Sequence, residues 1–339
     1  MKVRLKKVPE QVIVITGATS GIGLTTARRA AQRGARLVLA ARNEDALRQL
    51  VFELGKQGCQ AAYAVADVGI EEDVHRIAQT ALDRFGGFDT WVNNAGISIF
   101  GRYEDVSLKD QRRLFETNFW GVVHGSMAAV RHMRQHGGGA LINLGSEVSD
   151  RAVPLQGMYS ASKHAVKGFT DSLRAELEAE DVPISVTLIK PAAVDTMFVE
   201  HAKNYMEVEP RLPPPIYAPE VAADAILHAA ENPARDLFVG GAAKLISSGA
   251  HYAPRVFDKV MKRFIYGQQK SDLPARDRSR NSLYVPGSDL QERQGNQGHV
   301  FESSMYTKAE MHPKTTLALL LGAGLALIAL WRYREGPTA

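Results

Sequence analysis

The sequence predicts an α/β protein of Rossmann type: a doubly wound parallel sheet in one domain, then a polar linker and a C-terminal transmembrane helix. Three observations point there. Short apolar runs alternate with longer amphipathic stretches from Gln11 to about Gly240. A glycine-rich turn closes the first run and opens the first helix. An uncharged stretch of 17 residues, Thr315–Trp331, stands near the C-terminus. Strand and helix alternating at this spacing call for right-handed crossovers, with helices on both faces of the sheet.

VIVITG reads as the first strand, and the helix after it runs to Arg33 with Gly34 as its C-terminal cap. ARLVLAA is the second. Asn43, before Glu44 and Asp45, is placed to cap a helix to Lys56 whose Leu47, Leu50, Val51 and Leu54 share one face. AAYAVAD, a helix to Phe85 and FDTWVNNAG repeat the unit, and ALINLGS, ISVTLIKP and DLFVGG supply the later strands. An amphipathic run, Val256, Phe257, Val260, Met261 and Phe264, closes a domain of residues 1–266. Residues 267–314 are polar without a sustained period and read as a flexible or loosely docked linker. A chain cut after Gly267 is therefore expected to stay folded. Residues 315–331 would extend about 25 Å as a helix against a hydrocarbon core of about 30 Å. Lys314 before them, with Trp331, Arg332, Tyr333 and Arg334 at their end, supplies interfacial anchors. A membrane anchor is the favoured reading; a helix docked on the domain is the other.

A single core stops growing at about 250–300 residues, so part of a 339-residue chain is appendage. Lys and Arg number 41 against 37 Asp and Glu, without a long basic run, which gives nucleic-acid binding no support. The lone Cys59 allows no intrachain disulfide and makes a reducing compartment the default. The N-terminal MKVRLKKVPE is basic but lacks the apolar region of a secretory signal. These features place the catalytic domain at a membrane, facing the cytoplasm. Arg332 and Arg334 would then lie on the far side, against the positive-inside tendency, a conflict that a tail of eight residues or an interfacial lie tolerates.

The turn is Thr16-Gly17-Ala18-Thr19-Ser20-Gly21-Ile22-Gly23. Glycine at 17 permits a tight turn, and glycines at 21 and 23 let the backbone and the helix N-terminus approach a pyrophosphate. This TGxxxGxG spacing, Asn93-Asn94-Ala95-Gly96, Tyr159-Ser160-Ala161-Ser162-Lys163 and Ser146 thirteen residues before that tyrosine fall in one order over about residues 11–240. Together they resemble the short-chain dehydrogenase/reductase family. The resemblance implies a seven-stranded parallel sheet in a single Rossmann domain. It also implies a homo-oligomer built on helices around 107–136 and 159–180. Cofactor contacts would come from Gly17, Thr19, Ser20, Gly21, Ile22 and Gly23 in the loop, and from Asp67 and Val68 at the adenine. Asn94, Ala95 and Gly96 would line the channel, with Pro191 and Thr196 at the nicotinamide. At the end of the second strand an NAD enzyme places an acid, whereas here Ala41 precedes Arg42. A guanidinium attracts a 2′-phosphate, so NADP(H) is the expected cofactor. Asp67 as a helix cap and Arg42 as a surface cation are the bland alternatives.

Tyr159 and Lys163 are four apart on a helix and leave it on one face. A phenol with a pKa near 10 is a poor base at neutral pH, but an ammonium and the positive nicotinamide ring both favour the phenolate. By the resemblance, Ser146 hydrogen-bonds the substrate oxygen, Tyr159 transfers the proton and Lys163 also holds the nicotinamide ribose. Asn118, in Thr117-Asn118-Phe119-Trp120-Gly121, fixes a water that links the lysine to solvent. Two residues depart from the family pattern: Ala192 after Pro191 where glycine is usual, and Gly145 before Ser146 where a second serine is common. The histidines show no ligand spacing, and no metal is expected. Pro213, Pro214 and Pro215 lie in the segment that covers substrates in the family, among Phe198, Tyr205, Met206, Ile216 and Tyr217. Such a loop suits an apolar ligand, or simply packs on the domain. The expected function is an NADP(H)-dependent oxidoreductase interconverting a carbonyl and an alcohol on a lipophilic substrate at a membrane. A non-catalytic NADP(H)-binding scaffold would have been favoured by loss of Tyr159 or Lys163, and a soluble 3-oxoacyl thioester reductase leaves the tail unexplained.

Overall fold

Strand β1 (Val12–Thr16) is buried along its whole length, as a strand covered on both faces must be. Its Val12 and Val14 face one core while Ile13 and Ile15 face the other, the two-residue alternation of a pleated strand. Six strands join it in parallel: β2 (Arg36–Ala41), β3 (Ala61–Val65), β4 (Thr90–Asn93), β5 (Gly139–Leu144), β6 (Ile184–Pro191) and β7 (Asp236–Val239). Their order is β7-β6-β5-β4-β1-β2-β3. The direction of winding reverses between β1 and β4, which opens a crevice at the carboxyl edge of the sheet. The computed structural model describes residues 3–277, 279–287, 290–295, 298–313 and 315–317.

Helices cover both faces. Helices α1 (Gly21–Gln32) and α2 (Glu44–Lys56) lie on the Ile13 side, and α3 (Glu71–Phe85) lies on the Val14 side. Helix α4 (Leu108–Phe115) continues through a π-helical turn, Glu116–Trp120, into α5 (Gly121–Gln135). Helix α5 and α6 (Gly157–Ala179) complete the Val14 side, and α7 (Pro219–Glu231) the other. Local chemistry sets the helix ends. Gly34 turns the chain after α1 at φ 85°, and the Asn43 side chain accepts the Ala46 amide at 3.1 Å to cap α2.

Beyond β7, helices α8 (Gly241–Tyr252) and α9 (Pro254–Val260) follow. Of the run expected to close the domain, Met261 is buried, whereas Val256 and Phe264 are exposed. Of the two readings of the polar segment, flexible or docked, its described residues take the docked one. Lys270–Pro274 pairs antiparallel with Val208–Pro210. Residues 282–287 and 290–295, together a strap, cross the carboxyl edge of the sheet, where Leu283 is fully buried. Val300–Phe301 joins Ile216–Tyr217 and Ala193–Val194 in a small parallel sheet. Helix α10 (Met305–Met311) follows, and it docks on β7. Thr307 Oγ1 accepts the Gly240 amide at 2.9 Å, and Glu310 accepts the Phe238 amide at 2.7 Å. These contacts use main-chain groups and charges, which leave no hydrophobic period, so composition alone could not choose between the two. Among the described residues no helix is long and apolar enough to cross a membrane. Beyond Leu317, the expected span 315–331 lies outside the described residues.

The docked segment makes an outcome for truncation. A chain ending at Gly267 loses Leu283, the 300–301 strand and α10, and its thermal midpoint is expected to fall by more than about 10 °C, as for a loss of several kcal/mol. A chain ending at residue 314 should melt with the full-length protein. Equal midpoints for both shortened chains would show the packing of 268–313 to be idle.

Candidate active site

The glycine loop leaves β1 at the crevice and can take its course only as glycine. Gly17 and Gly21 hold φ values of 63° and 50°. A Cβ on Gly23 would stand 2.1 Å from the Gly17 carbonyl oxygen and 2.5 Å from Asn94 Nδ2. Asn94 ties this loop to the end of β4, donating from Nδ2 to the carbonyls of Thr16 at 2.9 Å and Gly17 at 3.1 Å. Ser20 stands at the N-cap of α1 without capping it through its side chain. The positive end of α1 therefore meets the crevice at Ile22, a seat that suits a pyrophosphate, while the Gly21 amide is taken by the Gln291 carbonyl at 3.0 Å. Ser20, Gly21, Ile22, Asn94, Ala95, Gly96, Pro191 and Thr196 all line one cavity with Ser146, Tyr159 and Lys163. The residues present fit a dinucleotide.

At the reacting end, Tyr159 and Lys163 project from α6, both buried, with Lys163 Nζ 5.8 Å from the centre of the Tyr159 ring. Lys163 donates to the Leu144 carbonyl at 2.7 Å. Asn118 is presented by the π-helical turn, a distortion that recurs at functional sites. Its side chain accepts the Ile97 amide at 2.8 Å and donates to the Ile97 carbonyl at 2.9 Å and to Ser162 Oγ at 3.1 Å. Gly96 lies between them, since a Cβ there would sit 3.5 Å from Asn118 Oδ1 and 3.7 Å from Lys163 Nζ. Ser146 accepts the Val148 amide at 3.3 Å and is hydrogen-bonded to Tyr159. Burial pushes the Tyr159 phenol well above its ordinary pKa, the Ser146 hydrogen bond pulls it back in part, and the charge of Glu147 pushes it up again. Burial also brings the Lys163 ammonium down to about 8. Desolvation, not the ammonium, thus dominates the phenol in the protein alone, opposite to the expectation from the Tyr-Lys spacing.

The other end of the crevice gathers Thr19, Arg42, Asp67 and Val68. Asp67 accepts the Gly69 amide at 3.0 Å and forms an ion pair with Arg113, which the sequence reading had not singled out. Arg42 donates to the carbonyls of Ser282 at 2.5 Å and Leu283 at 3.4 Å, so the strap reaches this site too. Among the described residues no group of His, Cys, Asp and Glu could hold a metal.

Three residues near the reacting end were also missed. Gln156 and Gln269 are buried and bonded to each other at 2.7 Å beside the cavity. Glu147, partly buried, lines the cavity next to Ser146, and burial pushes its carboxyl up to about 7. Its place directly after the candidate serine was the signal available. Val148, Val153, Met197, Phe198 and Leu212 make the remaining wall largely apolar.

Residues 11–206 match the short chain dehydrogenase family. The sequence is 48% identical over 323 residues to an uncharacterized oxidoreductase of Bacillus subtilis, YxnA, covering 95% of this chain and 91% of that one. It is 33% identical over 245 residues to a putative oxidoreductase of Mycobacterium tuberculosis, SadH, covering 70% and 88%. Two solved structures are similar. An alcohol dehydrogenase from the archaeon Thermococcus sibiricus, complexed with 5-hydroxy-NADP, matches with a TM-score of 0.59 and 29% identity over 67% of this chain and 95% of its own. L-Sorbose reductase from Gluconobacter frateurii, complexed with NADPH and L-sorbose, matches with a TM-score of 0.61 and 25% identity over 71% and 98%.

Glu147 gives the site a pH signature. Its folded pKa of about 7 lies above that of an unfolded glutamate, so the folded chain binds the proton more tightly and loses stability as pH rises from about 4.5 to 7. Glu147→Gln is expected to be more stable than the parent at pH 8, by about 1 kcal/mol or more, and equal to it below about pH 4.5. Urea denaturation at both pH values checks this, and a gap independent of pH would mean that Glu147 is solvated like a surface carboxylate.

Proposed function

This chain belongs to the short-chain dehydrogenase family of oxidoreductases, and from that premise we propose that it is an NADP(H)-dependent enzyme interconverting a carbonyl and an alcohol on a lipophilic substrate. The observation that carries the reading is Tyr159, buried beside Ser146 and Lys163 in a cavity that runs on to the glycine loop. In this reading the loop from Gly17 to Gly23 holds the pyrophosphate and Arg42 the 2′-phosphate. Asn94, Lys163, Pro191 and Thr196 hold the nicotinamide half. The likeness to two structures complexed with NADP-type ligands supports that choice of cofactor. When bound, the cofactor supplies the hydride chemistry.

The chain supplies the rest. Ser146 holds the substrate oxygen by its hydroxyl, and Tyr159 gives that oxygen its proton as negative charge develops there. A phenol whose pKa is raised by burial is fully protonated at neutral pH, which suits a donor in the reductive direction. Lys163, with a pKa brought down to about 8, can return a proton to Tyr159 along the same helix face, and Asn118 fixes the turn beside it. The apolar wall of Val148, Val153, Met197, Phe198 and Leu212 supports a lipophilic substrate. The uncharged run 315–331 supports attachment to a membrane with the catalytic domain in the cytoplasm. Exposed Trp120 and Met127, at and just after the π-helical turn, support a homo-oligomer.

Replacing Tyr159 by Phe is expected to leave NADPH affinity nearly unchanged and to lower turnover by roughly 10²- to 10⁴-fold, the usual worth of a proton-transfer group. A panel of ketones and aldehydes of increasing chain length, followed by NADPH oxidation in detergent, measures it. Turnover within about tenfold of the parent would remove Tyr159 from the chemistry. The full-length protein should also sediment with membranes and resist carbonate extraction, and its recovery in the soluble fraction would refute the anchor.

A further inference from the structure

The strap is seated on the crevice by contacts along its length. The Leu290 amide donates to the Thr19 carbonyl at 2.6 Å, and the Gly21 amide donates to the Gln291 carbonyl at 3.0 Å. Glu292 pairs with Arg28 at 2.5 Å and accepts from Thr25 Oγ1 at 3.0 Å. Leu290 holds a φ of 64°, a conformation that a leucine keeps only where its surroundings over-determine it. Beyond Gln291 the strap runs on to the nicotinamide side, where the Gly295 amide donates to Asp195 at 3.2 Å.

At the adenosine end, Ser282, Pro286 and Gly287 line the same cavity as Thr19, Arg42, Asn43 and Asp67. Ser282 is 5% exposed, and its Oγ has no hydrogen-bond partner among the described residues. Its main chain is fully engaged, the amide donating to the His201 carbonyl at 2.8 Å and the carbonyl accepting from Arg42. A buried hydroxyl left without a partner costs free energy, and such groups call for an explanation by a ligand or water. Ser282 lines this cavity together with Arg42, which the cofactor reading gives to the 2′-phosphate, and Asp67 there is paired with Arg113.

We propose that the strap is the outer wall of the cofactor site, and that Ser282 donates a hydrogen bond to the phosphorylated ribose of NADP(H) opposite Arg42. This rests on the cofactor reading above. It adds a residue more than 200 positions beyond the glycine loop to the selection of NADP(H) over NAD(H). It also makes the cofactor leave only when the strap lifts from α1.

The test uses the full-length protein in detergent, with NADPH and NADH bound and released under stopped-flow fluorescence. Ser282→Ala is expected to weaken NADPH roughly tenfold or more, as for a lost hydrogen bond to a charged group, and NADH by less than about twofold. Gly287→Ala should do the same, because its Cβ would stand 2.2 Å from Ser282 Oγ and displace the hydroxyl. Glu292→Ala, which unlatches the strap from Arg28, should speed release of both cofactors by about tenfold, the effect of losing one charge-assisted contact. Hydrogen exchange at Gly21 and Leu290 should slow when NADPH is added. An unchanged NADPH:NADH ratio in Ser282→Ala overturns the role of Ser282. Unchanged release from Glu292→Ala, or faster exchange in the strap with NADPH, overturns the wall. A parent protein that binds neither cofactor would instead overturn the cofactor reading itself.

Discussion

Helix α6 carries both Tyr159 and Lys163, and its docking on β5 is the constraint on which the rest of the site depends. A buried chain of polar side chains sets that docking. Trp91 Nε1 donates to Asn93 at 2.8 Å, Asn93 to Asn143 at 2.9 Å, Asn143 to Thr170 Oγ1 at 3.0 Å, and Thr170 to the Val166 carbonyl at 2.7 Å. Every donor in this polar chain is paired, and Asn93 Nδ2 also reaches Ser126 Oγ at 3.1 Å, so a slip of α6 by a single turn would strand an amide in the core, at about 1–3 kcal/mol for each group left unpaired. Lys163, bonded to Leu144 at the end of the same strand, inherits its position from this register. Helix α5 can approach the chain only through Gly125, where a Cβ would fall 2.0 Å from Asn93 Oδ1.

The register places three ionisable groups, Glu147, Tyr159 and Lys163, around one largely apolar cavity. Burial dominates each of them, and it favours the neutral form of each: carboxyl up to about 7, phenol upward, ammonium down to about 8. A site tuned in this way stores protons at the phenol instead of surrendering them. An incoming positive charge near the phenol shifts the balance toward the phenolate, so the direction in which Tyr159 works follows from what occupies the cavity beside it.

What could be read from the sequence follows from how local each determinant is. The first strand, the glycine loop, Asn43 and Gly34 act on neighbours a few residues away, and their spacing alone discloses the unit. Tyr159 and Lys163 share a helix face for the same reason. Arg113 and its pairing with Asp67, by contrast, join residues 46 positions apart, and Ser282 meets Arg42 across 240. No periodicity records such contacts. The strap was ambiguous for a second reason: its polar residues satisfy main-chain groups and charges of the domain, so the same composition serves a flexible linker and a docked one. Glu147 lay in plain view beside Ser146, but an acid in that position declares its environment only when the cavity around it is known.

The same composition sets how firmly the strap is held. Its ion pairs, Arg28 with Glu292 and Arg293 with Glu220, join partly exposed side chains, and such pairs are worth about 0–1 kcal/mol each. Leu283 is the apolar side chain that it buries completely, whereas β1 buries every residue it has. Hydrophobic burial scales with area, so the strap belongs to the low-stability end of the molecule and the sheet to the high end. A segment of that kind opens without disturbing the register of α6 on β5. The wall over the crevice can therefore move while Tyr159, Lys163 and the glycine loop stay where the core has placed them.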